Sequence, residues 1–163
     1  MSREQTIQQD LLDAFGCLAD KVRVQRDRRV WVEAPQAEFR RVLDHACDRL
    51  GFVHLCTITG LDEGERLAFI YHLAREDGVV MCLKTTVPKA APVHRSVSDR
   101  FPGGVIYERE LVDMLGARIE GLPPGQRYPL PDDWPEGQHP LRKDWKPEML
   151  DAPPTAPEEQ PNG

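Results

Sequence analysis

The side chains best suited to hold a metal or act as nucleophiles are four cysteines (Cys17, Cys47, Cys56, Cys82) and five histidines (His45, His54, His72, His94, His139). Zinc and iron–sulfur ligands usually come in closely spaced pairs, because one tight turn then aims two sulfurs at a single metal. Here no cysteines stand as CxxC or CxxxC, and no histidines as HExxH or HxxxH. The spacing therefore favours the cysteines as small apolar core residues, and predicts no metal and no cofactor. His54, Cys56, His72 and Cys82 all fall on expected strands, where alternation can bring some of them together. Core filling is the favoured reading there as well. If His54, His72 and neighbouring carboxylates did form a site, the protein would be a free-standing small-molecule binding module or enzyme. Such a site would show perturbed titration.

The chain has 163 residues, about the size of one domain, long enough to bury roughly two-thirds of its unfolded surface. Its net charge of -6 is unevenly spread. Residues 1–100 carry 15 basic and 15 acidic side chains, whereas residues 101–163 carry 6 and 12. An acidic chain is poorly suited to nucleic acid, whose non-specific binding depends on Lys and Arg meeting phosphates. The one basic cluster, Lys21, Arg23, Arg26, Arg28 and Arg29, is interrupted by Asp27 and reads as a solvated hairpin surface. No run approaches the roughly 18 apolar residues of a membrane span. The first ten residues have no apolar stretch resembling a signal peptide, so the expected location is the cytoplasm unless a partner holds the protein elsewhere.

The elements that must position these residues can be read from periodicity. Ser2 and Gln5 form a capping box ahead of Ile7, Leu11, Leu12, Phe15 and Leu18, giving a first helix that ends near Asp20. Val22, Val24, Val30 and Val32 alternate on either side of a turn and predict a hairpin. Pro35 can start a second helix, whose apolar stripe is Phe39, Val42, Leu43, Ala46, Cys47 and Leu50, with Gly51 as its C-terminal cap. Three strands follow, Phe52–Thr59, Arg66–Ala74 and Val79–Val87, joined at Asp62-Glu63-Gly64 and Glu76-Asp77-Gly78. Leu67, Phe69, Tyr71 and Leu73 share one face, as do Val79, Met81, Leu83 and Val87, while Lys84 and Thr86 point to the other. The order αββαβββ predicts a two-layer α+β domain with its helices on one face of the sheet.

After residue 88 the character changes. Ile106–Leu115 reads as a short charged helix ending at Gly116, in which Arg109 and Asp113 can pair at i, i+4. From Gly121 onward 11 of 43 residues are proline, too many for regular structure. Tyr128, Leu130, Trp134, Leu141 and Trp145 lie among them, which a purely solvated linker would not need. Large aromatics between prolines suggest an extended arm lying on a surface, its own or a partner's. The expected division is a domain over 1–116, an arm over 117–146 and a disordered, Pro- and Glu-rich tail over 147–163.

Two blocks carry a family resemblance. Tyr107-Glu108-Arg109-Glu110-Leu111-Val112-Asp113-Met114-Leu115-Gly116 is similar to the "ERE-x-x-D-x-x-G" signature of the C subunit (thirty-kilodalton subunit) of respiratory complex I. Leu130-Pro131-Asp132-Asp133-Trp134, then Gly137 and His139-Pro140-Leu141-Arg142-Lys143-Asp144-Trp145, resembles the family's second block, "LPxDW" leading to "G-x-PLRKD" and an aromatic. Thr59-Gly60-Leu61-Asp62 and Tyr71-His72-Leu73 sit where the family has "TGVD" and "YHL". The resemblance spans roughly residues 36–145, and two ordered blocks are far more specific than one short motif. Val112 replaces a usual aromatic, and Gly121–Arg127 replaces a "GHPDLR" segment. This divergence, with a shortened tail, resembles the related subunit of membrane-bound energy-converting nickel–iron hydrogenases.

The resemblance implies a non-catalytic, cofactor-free subunit in the cytoplasmic arm of a membrane-bound redox complex, either hydrogenase-type or complex I. Its implied partners are the hydrogenase-like large subunit, on which it docks, and the adjacent small iron–sulfur subunit. It would lie at the cytoplasmic face of the inner membrane, peripheral, touching the membrane only through those partners. Glu108, Arg109, Glu110 and Asp113 would belong to a docking helix. Asp132, Asp133, Trp134, Arg142, Lys143, Asp144 and Trp145 would belong to the docking arm, with the tryptophans as anchors and Arg142 forking onto a carboxylate. The alternative is that these charges pair within the chain and tie the arm to its own domain.

Overall fold

A computed structural model of the chain describes residues 1–150. Helix α1 runs from Arg3 to Ala14 and opens on the expected capping box. The Ser2 hydroxyl accepts from the Gln5 amide at 3.2 Å, and the Gln5 side-chain carbonyl accepts from the Ser2 amide at 2.7 Å. The helix stops short of Asp20 because Phe15 turns extended and Gly16–Leu18 form a 3-10 turn, a break that sends both Phe15 and Leu18 into the core.

Strands β1 (Val22–Arg26) and β2 (Arg29–Glu33) form the hairpin, with Arg28 at φ +57 in its turn. Helix α2 (Phe39–Asp48) begins four residues after Pro35, which instead accepts the Glu38 amide in a turn. Its buried residues are Phe39, Val42, Leu43, Ala46 and Cys47, five of the six in the expected stripe; the sixth, Leu50, lies past the end of the helix and is half-buried. Gly51 sits at φ +76, and the Phe52 amide closes the cap on the Ala46 carbonyl. Strands β3 (His54–Asp62), β4 (Arg66–Ala74) and β5 (Val80–Pro88) form an antiparallel meander. The sheet order is β1-β2-β5-β4-β3, with β2 and β5 parallel. That order follows from α2 carrying the chain across the sheet to its far edge before the meander folds back.

All three helices put their apolar side chains on one face of this sheet, so the two-layer α+β reading holds. Leu67, Phe69, Tyr71, Leu73, Met81, Leu83 and Val87 are buried there against residues such as Ile7, Leu11, Phe39 and Val42. The opposite face carries Trp31, Ile70, His72, Cys82, Lys84 and Thr86, and no helix covers it among the described residues.

Two short strands escaped the sequence. β6 (Val93–Arg95) and β7 (Arg118–Glu120) pair in parallel on either side of α3 (Val105–Leu115). Three residues are too few to display alternation, and β6 sits between turns and prolines. The irregular arm therefore begins after Glu120. Pro147–Leu150 form a 3-10 turn, where disorder was expected. The rest of that expected tail, 151–163, lies outside the described residues.

A candidate docking surface on α3 and the C-terminal arm

Helix α3 packs Leu111 and Leu115 onto β3 at Gly60. A Cβ at Gly60 would come within 2.5 Å of the Leu111 and Leu115 methyl groups, so a larger residue there would force those two side chains to shift. At its other end, Gly116 takes the left-handed conformation (φ +68), which suits a glycine cap.

The last carbonyls of a helix have no partner within it. Here the arm supplies three. The His139 Nδ1 donates to the Asp113 carbonyl at 2.9 Å, the Leu141 amide to Met114 at 3.0 Å, and the Arg142 Nε to Leu115 at 2.7 Å. The Arg142 cation also lies where the helix dipole is negative. The His139–Arg142 block is thus a cap for α3, assembled from residues well downstream in the chain.

A second tie holds the arm to the sheet. Asp62, buried at the end of β3, accepts from the Gly64 amide at 2.8 Å, the Lys143 amide at 2.9 Å and the Lys89 ammonium at 2.8 Å. Burial pushes its carboxyl upward, but the bonds from Lys89, Lys143 and Gly64 outweigh it and hold the pKa at about 2. Lys89 then bridges to Asp144 at 2.9 Å.

Within the arm, Trp134 and Trp145 lie 6.1 Å apart between centroids and both donate to Gln138, to its main-chain carbonyl at 2.9 Å and its side-chain carbonyl at 2.8 Å. Each ring is only partly buried.

Sequence expectations for individual residues fare differently. Glu108 is fully buried and accepts from the Val97 amide at 2.7 Å and the Ser96 hydroxyl at 2.6 Å; burial raises its pKa. It points into its own domain and offers no surface. Asp113 is likewise buried, accepting from the Leu130 amide and Arg127. The expected Arg109–Asp113 pair is not made. Arg109 instead reaches the Pro123 and Pro124 carbonyls at 3.3 and 3.1 Å, because the arm passes over that turn of the helix. Arg142 and Asp144 are engaged within the chain, and Lys143 through its amide. Glu110, Asp132 and Asp133 form no ion pair among the described residues, and both aspartates are exposed. Asp62, Gly60 and His139 lie in the quoted motifs, but spacing alone assigns them no role. Lys89 left no signal, since its partner Asp144 is 55 residues away.

Alternation does bring some of the His/Cys set together. The Thr59 hydroxyl is 3.0 Å from His72 Nε2, and Cys82 Sγ lies 3.4 Å from His72 Nδ1 and 3.5 Å from Arg29 Nη1. Burial, then the Arg29 charge, lowers the His72 pKa, and burial raises that of Cys82. No three His, Cys, Asp or Glu side chains converge in metal-binding geometry among the described residues. No described helix is long and apolar enough to cross a membrane.

Residues 32–149 match the family described as "Respiratory-chain NADH dehydrogenase, 30 Kd subunit". A relative, the membrane-bound hydrogenase subunit beta of Pyrococcus furiosus, is 34% identical over 122 residues, covering 72% of this chain and 70% of that protein. The C subunit of the F(420)H(2) dehydrogenase of Methanosarcina mazei is 30% identical over 144 residues, covering 86% and 90%. Formate hydrogenlyase subunit 5 of Escherichia coli is 39% identical over 95 residues, which are 55% of this chain but 17% of that larger polypeptide. Among solved structures, a trypsin-resistant fragment of Nqo5 superposes with a TM-score of 0.64 at 26% identity, covering 76% of this chain and all of the fragment.

Proposed function

Because the chain belongs to the respiratory-chain NADH dehydrogenase 30 kDa subunit family, we propose that it is a non-catalytic, cofactor-free subunit of a membrane-bound redox complex of the hydrogenase or NADH:quinone oxidoreductase type. It docks on the hydrogenase-like large subunit, beside the small iron–sulfur subunit, at the cytoplasmic face of the membrane, which it reaches only through them. The observation that carries this reading is the seating of the arm on its own domain. Three helix carbonyls and Asp62 fix the arm's course, so Trp134 and Trp145 are held in place while part of each ring stays exposed. Pre-ordered aromatics lose little entropy on binding and make efficient anchors. Exposed, acidic Asp132 and Asp133 immediately precede Trp134, which suits a partner surface bearing Arg or Lys. The formate hydrogenlyase relative supports the reading, since a module like this one occupies only part of a larger polypeptide there.

Tagging the protein in its native cells, solubilising the membranes gently and identifying what co-purifies tests this. A large subunit with paired CxxC motifs is expected for a hydrogenase-type complex. One lacking those cysteines, together with a flavin-bearing NADH-oxidising module, is expected for complex I. Recovery of the protein alone from the soluble fraction overturns the proposal.

A further inference from the structure

The two edges of the five-stranded sheet are built differently. Edge strands expose unpaired amides and carbonyls, and proteins blunt them with short length, bulges and charges. β1 is five residues long, carries a bulge between Val24 and Arg26, and is surrounded by Lys21, Arg23 and Arg26. β3 is nine residues long, and from Leu50 to Glu65 there is no Lys, Arg or Pro. Its one bulge lies at Cys56, whose carbonyl accepts the Tyr107 hydroxyl at 3.1 Å. Beyond it the register with β4 is regular through Asp62. Among the described residues, no group outside the sheet bonds the main chain of residues 57–61.

The outer side of this stretch opens into a groove of about 280 Å³ between β3, α3 and the arm, bordered by Thr57, Thr59, Glu110, Met114 and Leu141. Leu141 is 49% exposed and Leu61 42%, and Glu110 has no ion-pair partner among the described residues. We infer that β3 is a strand-addition site, which takes one extended segment of the larger partner polypeptide into this groove. The segment pairs its main chain with residues 57–61. It rests an apolar side chain on Met114 and Leu141 and brings a Lys or Arg to Glu110. A second copy of β3 does not meet this requirement, because residues 50–65 contain no Lys or Arg to answer Glu110. This inference rests on the proposed subunit role and adds the mode of attachment.

The test is hydrogen exchange on the complex purified from native membranes, compared with the isolated chain. The amides of residues 57–61 should slow by at least about tenfold on assembly while those of Val22–Arg26 stay unchanged. Purification through tagged Glu110→Lys and Leu141→Lys chains should lose the large polypeptide, whereas Gln25→Lys, on the blunted edge, should retain it. Thermal unfolding of the isolated variants verifies that they fold. Unchanged exchange at 57–61 in a complex that does contain the partner overturns the strand-addition site and leaves the subunit role standing. Recovery of the unsubstituted chain alone overturns both.

Discussion

The domain and the arm are held by different forces. From Arg3 to Glu120 the chain buries a continuous apolar core, in which Phe52, Leu67, Phe69, Leu73, Met81 and Leu83 are inaccessible. From Gly121 to Leu150 no large apolar side chain is fully buried, and the arm is fixed by hydrogen bonds and ion pairs to the end of α3 and to Asp62. Hydrophobic burial is roughly proportional to area and contributes most to domain stability. Hydrogen bonds contribute only about 0.5–1.5 kcal/mol net each, but they are directional. The contrast shows how a Pro-rich segment without a core of its own can still follow one path.

The largest expected effect is in the core. Phe69→Ala should cost about 3–5 kcal/mol, read as a fall in the urea midpoint, because Phe69 is fully enclosed. A loss under about 1 kcal/mol would mean that the core is not where stability resides.

Next comes a pH effect confined to the domain. His94 is buried among Phe39, Phe69 and Tyr71, its Nε2 has no partner among the described residues, and burial pushes its pKa down to about 4. A histidine with a depressed folded pKa takes up its proton more readily when unfolded. Stability should therefore fall as pH drops through 6.5 and flatten below about 4, by up to about 3 kcal/mol. Glu108 acts in the opposite sense, since its raised pKa makes its charge cost stability as pH rises through 4.5. Urea unfolding of His94→Leu beside the unsubstituted chain isolates the histidine, and between pH 6.5 and 4 the variant should lose less stability on acidification than the unsubstituted chain. Equal slopes would refute the assignment.

A smaller effect should separate the two regions. Asp62→Ala removes the acceptor for the Lys143 amide and leaves Lys89 only Asp144, costing the arm's attachment about 1–3 kcal/mol. Trypsin should then cut sooner at Arg127 and Arg142, with the 1–127 fragment surviving; simultaneous loss of both regions would show that they unfold as one.

The smallest effect on the isolated chain is expected for Trp145→Ala, whose ring is partly exposed and whose indole bonds only Gln138. Its thermal midpoint should move by no more than a few degrees, corresponding to about 1 kcal/mol. A large fall would mean that the tryptophan packs as part of the fold.

Much of the domain was legible because its signals are local and periodic. The α2 stripe as far as Cys47, the face shared by Leu67, Phe69, Tyr71 and Leu73 in β4, and the capping box each lie within one element and are found in the structure. β6 and β7 were missed because three residues carry no period. The break at Phe15 was missed because the apolar spacing continues through it. For the site, the motif blocks marked the right segments, yet spacing could not tell which side chains turn inward. Glu108 and Asp113 are charged residues on a charged helix, and only tertiary packing assigns them to Val97 and Leu130. The Asp62–Lys89–Asp144 chain joins three distant points of the sequence, so no local pattern could have announced it.

On the proposed reading, the arm is ordered by its own domain and so presents Trp134 and Trp145 to a larger polypeptide. The most direct measurement is the subunit stoichiometry of the complex purified from native membranes through a tagged Trp134→Ala/Trp145→Ala chain, with the folded state of the isolated variant checked by its thermal midpoint. The expected result is a folded variant that recovers little or none of the large polypeptide bound by the unsubstituted chain. A folded variant that retains it at full stoichiometry would show that the two tryptophans do not anchor the partner.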